Sequence, residues 1–525
     1  MRTSSRKSRR FSLFLATMLF LGVCLTAAIA SARIPFRLVA SVENRDMENL
    51  LSTYAKSQGI TVEFTYQNTM KLMNTLSDAE CPYDAVWLSN SIWLYMLSGK
   101  QKITDSKVTA INPIVFGIKQ SKAEALGFTG RQVSMEDIVN AVRSKQLSFI
   151  MPSATQTNSG ASAYLGFLST MAGNPEVLTR KTLEEPTLRD AMKELFSGVE
   201  RNSGSEDYVG ELYLTGDYDA MINYEFLMIG LNQRLEREGK EPLYLIYPKE
   251  GVSISDSPFA YIDHGDKDKK ADFIKLQSWL LDTQAQKAMA ETGRRTGYGG
   301  QNPYGSEAVF NRQWGIDMRA YLTPIKYPAA EVIREAFRIY QEEFKKPSVT
   351  VFCLDMSGSM YGQGYRELTD AMTRLLTPEL AAKDFIQFGE QDQILLIPFS
   401  GSPRDTIKGS GKDQQALLKE LLSNEAGGGT DIYEALTEAY RELSAYDDRH
   451  QTLSVVLMTD GQSGGDIQQF IRTYRETPLQ IGVYSITFGE ADTEQLEDIA
   501  KITGGKVFNG KTDLMEAFQT VRGYN

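Results

Sequence analysis

Three stretches far apart in the chain carry oxygen donors of a kind that suits one hard divalent cation. They are Asp355, Ser357 and Ser359 in LDMSGSM, Thr430 in GGGTDIYEAL, and Asp460 in VVLMTDGQ. Mg²⁺ takes six oxygen ligands at roughly 2.1 Å, and accepts a few carboxylates and hydroxyls with waters or a substrate oxygen completing the octahedron. Two Asp, two Ser and one Thr supply such a set. The apolar runs SVTVFCL and LSVVLM lead into Asp355 and Asp460, and Thr430 opens a helical stretch after three glycines. In open α/β sheets the loops at the carboxyl ends of strands meet in one crevice, so the pattern predicts that the three stretches converge.

These residues resemble the von Willebrand factor A (VWA) domain. Its metal-ion-dependent adhesion site (MIDAS) is written DxSxS, then Thr, then a TD pair, in this order and at about this spacing. The resemblance implies hydroxyl ligation by Ser357, Ser359 and Thr430, with Asp355 and Asp460 acting directly or through water, around Mg²⁺ or else Mn²⁺ or Ca²⁺. It also implies an open coordination position that a partner's carboxylate fills, which would make the site a metal-bridged grip on an acidic side chain. The competing reading is a metal that only pins three loops together. No activated nucleophile accompanies the donors, so the expectation is a binding protein and not an enzyme.

The elements that must position these loops follow from the apolar periodicity. Strands are expected at 349–354, 393–399, 453–459, 481–488 and 506–509, with helices near 364–377, 414–423, 430–444, 466–476 and 493–502 and a last one from Asp513. That alternation predicts a doubly wound α/β sheet over 348–525. Upstream, Phe36 to about Tyr261 also alternates strand and helix patterns, including FRLVAS, ITVEFTY, DAVWLS, DAMINYEF and PLYLIYPKEG, which predicts a parallel α/β arrangement. Residues 33–325 resemble the extracytoplasmic solute-binding proteins of the two-lobe, type 2 kind, with PIVFGIK and SPFAYID standing where two segments cross between lobes. A linker, 326–347, with a helix from about Ala330 to Phe344, leads into the second domain.

Within the first domain the loop from Ala154 to Gly160 precedes an apolar helix. Unpaired N–H groups and the positive dipole end of a helix, with hydroxyls such as Thr157 and Ser159 beside them, are suited to a small oxyanion or polar ligand. The plainer reading makes Ser159 an ordinary N-cap. Ser41, Asn90 and Tyr224 occupy places that face the cleft in similar binding proteins. An Arg clamp for an amino-acid carboxylate, common in related receptors, is not evident.

Arg2, Arg6, Lys7, Arg9 and Arg10 precede the apolar run Phe11 to Ala30, which ends in small-x-small sites. Residues 1–32 therefore read as a signal peptide or, since the run is about 20 residues long, as an N-terminal membrane anchor. Either way the positive-inside rule places the rest of the chain outside, secreted or anchored. Cys24 in LGVC resembles a lipoprotein signal, but Val23 stands where a small residue is expected. Without the five leading cations the net charge falls from −11 to about −16, which argues against nucleic acid and anionic lipid as partners. Beyond that segment only Cys81 and Cys353 remain, and Cys353, inside the strand before the metal loop, reads as a small buried core residue.

Two motif matches carry no chemistry. Gly505 to Thr512 fits GxxxxGK[ST], yet Lys506 to Asn509 read as an edge strand, where a phosphate loop needs a nest of backbone N–H groups. Gly461 to Gly465 fits GxSxG, but its triad needs a downstream His, and the two histidines, His264 and His450, both lie upstream in polar loops. The expected whole is an exported binding or adhesion protein that grips a protein partner through its metal, with a first domain able to hold a small polar or anionic solute. The alternative is the capture receptor of an ABC-type importer whose second domain only docks it. A third reading pairs the A domain with an ATPase motor, and export argues against it.

Overall fold

A computed structural model describes residues 34–97, 101–447, 451–460, 463–477, 481–487 and 493–510. The amino-terminal segment with Cys24, His450, Lys511, Thr512 and the helix expected from Asp513 lie outside the described residues. In chain order the strands are β1 (Phe36–Ser41), β2 (Val62–Gln67), β3 (Ala85–Trp87), β4 (Ile103–Val108), β5 (Asn112–Lys119), β6 (Phe149–Pro152), β7 (Val199–Ser203), β8 (Ala220–Tyr224) and β9 (Leu243–Ile246). There follow β10 (Ile254–Ser255), β11 (Pro258–Ile262), β12 (Ser348–Asp355), β13 (Gln393–Phe399), β14 (Ile407–Ser410), β15 (Thr452–Thr459), β16 (Val483–Thr487) and β17 (Lys506–Asn509).

They form three sheets: β2-β1-β3-β11-β4 in the first lobe, β10-β5-β8-β6-β7 with β9 on β5 in the second lobe, and β14-β13-β12-β15-β16-β17 in the second domain. The first domain is not purely parallel, as its alternation predicted. β1 pairs in parallel with β2 and β3, but β11 runs against β3 and β4, and β5 runs against β8, β9 and β10. The reason is topological, because β5 and β11 each enter a sheet from the other lobe and so arrive against strands built by local strand–helix–strand turns. PIVFGIK and SPFAYID are thus sheet strands. The crossings are the residues just before them, 109–111 and 256–257, and a third connection is made where Ile111 bridges to Arg295.

The helix Asn158–Met171 is apolar around most of its circumference, and all of it up to Thr170 is buried between sheet and linker. Such a helix belongs in a core and not at a surface. Its first turn lies directly on the end of β6, since a Cβ at Gly160 would meet the Ser153 carbonyl oxygen at 2.3 Å. The linker helix Ala330–Ile339 has the opposite character. Val332, Ile333, Ala336, Phe337 and Ile339 are buried while Glu331, Arg334, Glu335 and Arg338 sit on the other side, and Tyr340–Phe344 continue as a π turn. This apolar face joins the core of the second lobe, so the linker is packed structure and not a tether.

In the second domain the chain enters at β12, builds outward to β13 and antiparallel β14, then returns to the other side of β12 and continues through β15, β16 and β17. The direction of winding reverses between β12 and β15, which is where an open α/β sheet opens its crevice.

Candidate metal centre and inter-lobe cleft

The winding reversal brings two of the predicted stretches together. Asp355 is the last residue of β12 and fully buried, and Asp460 directly follows β15. Ser357 N–H donates to Asp355 Oδ1 at 2.8 Å, Ser357 Oγ lies 3.0 Å from Ser359 Oγ, and Ser359 Oγ donates to Asp460 Oδ1 at 3.0 Å. The third stretch is tied to the same loop by its backbone. Gly427 N–H donates to the Met356 carbonyl and Gly358 N–H to the Gly428 carbonyl, at 2.8 and 2.9 Å. Gly428 can make this approach because its φ of +93° lies in the region that favours glycine. Thr430, half-buried, follows on that loop, and Asp431 then caps the helix Ile432–Leu443 through Glu434 N–H.

The donor set fits a hard cation. Octahedral ligands at roughly 2.1 Å have neighbouring oxygens ~3.0 Å apart, the separation found along Ser357, Ser359 and Asp460. Burial pushes the Asp355 carboxyl above its ordinary range, with nearby Asp460 adding to the effect, and burial pushes Asp460 up as well. Two carboxylates short of solvation beside the Ser357 and Ser359 hydroxyls are what a divalent ion would relieve. Among the described residues no cluster of three or more His, Cys, Asp or Glu offers a competing site.

Sequence reasoning carried the residue that holds Asp355 only as the first of the TD pair and gave it no role. Thr459 Oγ1 donates to Asp355 Oδ2 at 2.7 Å across the β12–β15 pair. Its only signal was its place before Asp460 in VVLMTD. Ser463, of the GxSxG match, has a structural part: its hydroxyl accepts from Ile432 N–H and Gly465 N–H and helps hold the Thr430 loop.

The five cleft candidates are all buried, and four are engaged within the protein. Ser41 Oγ accepts from Ser89 N–H. Asn90 Nδ2 donates to Ser162 Oγ and, at 3.0 Å, to Tyr327 OH, which also bonds Ser253 Oγ and the Ile254 carbonyl. Thr157, not Ser159, is the N-cap of Asn158–Met171, accepting from Gly160 N–H. Tyr224 OH meets Asn158 Nδ2 and donates to Glu43 Oε1. Ser159 Oγ is buried without a hydrogen-bond partner.

The helix donors expected to hold an oxyanion are taken by the chain itself. Glu206 Oε1 accepts from Asn158 N–H at 2.9 Å and Ser159 N–H at 3.3 Å. Glu206 and Asn158 escaped sequence reading because their partners lie tens of residues away. Open space remains beside this closed centre, as a cavity of about 620 Å³ between Glu43, Arg45 and Asp46 of the first lobe and Glu206, Phe226 and Arg234 of the second.

Comparison with known proteins accords with both halves. Residues 38–295 match the family described as bacterial extracellular solute-binding protein, and residues 350–521 match the von Willebrand factor type A domain. The calcium-activated chloride channel regulator 3A-1 of Mus musculus is 26% identical over 183 residues, 33% of this chain and 19% of that protein, so the chain spans about a fifth of its length. Among solved structures, the periplasmic binding protein P5PA aligns with 59% of this chain and 99% of its own at 15% identity and a TM-score of 0.42. A von Willebrand factor type A protein from Catenulispora acidiphila aligns with 35% of this chain and 43% of its own at 16% identity and a TM-score of 0.29. The chain therefore joins a bacterial extracellular solute-binding-protein domain, in its first half, to a von Willebrand factor type A domain.

Proposed function

We propose that this is an exported, non-enzymatic adhesion protein whose A domain holds a divalent ion, Mg²⁺ foremost, through Asp355, Ser357, Ser359, Thr430 and Asp460. The ion grips a carboxylate of a protein partner. The observation that carries this reading is the run of oxygens from Ser357 through Ser359 to Asp460 at octahedral edge spacing, at the point where the winding of the sheet reverses. Residues 1–32 would direct the chain across the membrane or anchor it there.

No step of bond making or breaking is needed. When bound, the ion supplies a positive centre with an exchangeable position. Asp355 and Asp460 supply its compensating charge, and the hydroxyls orient its shell. The Gly427–Thr430 loop, bonded to the DxSxS loop, keeps the approach to it rigid.

Mn²⁺ in place of Mg²⁺ offers a direct test. Water-proton relaxation by the Mn²⁺-loaded full chain should fall saturably as acetate, or a glutamate-containing peptide, displaces bound water. The effect should be absent in Asp355→Asn. Bound Mn²⁺ whose relaxation effect is indifferent to carboxylate would show a metal that only pins loops, against the proposal.

A solute reading of the first domain has one observation of its own, the 620 Å³ cavity between the lobes, within the usual range for small-molecule sites. With Glu206 on the helix N-terminus, its lining mixes both charges over an apolar floor. That favours a polar solute bearing a positive group over a simple oxyanion, whether the domain senses it or captures it for an importer.

A further inference from the structure

The loop that faces the cleft on one side faces the A domain on the other. Asn158 sits between the lobes. Trp93 Nε1 of the first lobe donates to its Oδ1 at 2.7 Å, and its Nδ2 donates to Ser255 Oγ at 2.8 Å and to Tyr224 OH. Two residues earlier, Gln156 Nε2 donates at 3.1 Å to the carbonyl of Phe385 in the A domain. The linker takes hold of the same point, because Gln341 Nε2 donates to that carbonyl at 3.0 Å and to Thr155 Oγ1 at 2.5 Å.

Phe385 has the marks of a docking knob. Its backbone is left-handed, with φ of 53°, a conformation that is strained for a bulky residue and persists only where surroundings enforce it. Its ring stands edge-on to Phe337 at 5.3 Å, and Phe337 in turn lies against Trp93 of the first lobe and Tyr164 of the second. One aromatic thus touches both lobes and the A domain. A π turn, Tyr340–Phe344, follows directly, and such turns are frequent at functional sites.

We propose that the loop 154–160 couples closure of the two lobes to docking of the A domain, with Phe385 as the knob it grips. Closure fixes Asn158 between Trp93 and Ser255. That sets the two residues before it, and hence Gln156, against Phe385. When the lobes part, Asn158 loses its tie to Trp93 across the cleft, and the grip on Phe385 loosens. A solute that stabilises one state of the cleft would then bias how the A domain is held, which is a coupling free energy between two separate sites. The inference goes beyond the metal grip and does not rest on it.

Hydrogen exchange of the full chain, read by mass spectrometry with neither metal nor partner present, tests this. Asn158→Ser should speed exchange about tenfold both at 90–96 in the first lobe and at 381–388 in the A domain, the effect of leaving buried donors unmatched. Gln156→Ala should speed exchange at 381–388 while leaving 90–96 protected. Where Asn158→Ser fails to fold, Trp93→Phe removes only the donor across the cleft and should give the same paired result. Unchanged exchange over 381–388 when the ties to Asn158 are cut overturns the coupling. So does a rise there that Gln156→Ala cannot reproduce, because the signal would then travel by another route.

Discussion

At the scale of single residues, the proposed metal centre would depend on side chains that hold its candidate ligands as well as on those ligands. Thr459 is the clearest case, since its hydroxyl holds Asp355 Oδ2 while the Ser357 N–H holds Oδ1. Thr459→Val keeps the shape of the strand and removes that donor. It should weaken Mg²⁺ binding roughly tenfold, the ordinary cost of losing a group that orients a ligand, with the unfolding curve in chelator unchanged. Titration calorimetry checks this, and equal affinity would remove Thr459 from the account. The five proposed ligands could be named from sequence because Asp, Ser and Thr at that spacing carry their chemistry in their type. Glu206 was not, because an acidic residue in SGSEDY gives no sign that its carboxylate will cap a helix that begins 48 residues earlier.

At the scale of elements, each fold half is held by a feature that apolar periodicity exposes only in part. The strands and helices of the A domain follow the pattern closely, since β12, β13 and β15 are continuous apolar runs buried on both faces. β14, with the sequence IKGS, was missed because an exposed antiparallel edge needs no apolar run. In the first domain the element that closes the second lobe is marked by charge. Arg295 and Glu225 form a fully buried, two-pronged pair at 2.8 Å, and Arg295 also donates to the Gly300 and Asp317 carbonyls. Removing one partner of such a pair strands the other. Glu225→Gln should therefore lower the stability of the first domain by about 3 kcal/mol, measured by chemical denaturation. A loss below about 1 kcal/mol would mean that the carbonyls alone satisfy the guanidinium.

At the scale of the whole molecule, the two domains are docked and not strung together. Arg201 reaches Tyr484 OH, Tyr208 OH donates to the Gly504 carbonyl, and the linker's apolar face is continuous with the core of the second lobe. The sequence marked the linker as a helix but gave no sign of this docking, because bonds such as Asn90–Tyr327 and Gln156–Phe385 join residues more than 200 apart. Such an arrangement would suit the proposed role, presentation of a metal-bearing face on a fixed base outside the cell. The measurement that bears most directly on that role is Mg²⁺ binding to the full chain, by titration calorimetry, beside Asp355→Asn. The account predicts one ion per chain in the parent, none in the variant, and unfolding curves that coincide once chelator is added. A parent that binds no ion, or a variant that binds it equally well, would contradict it.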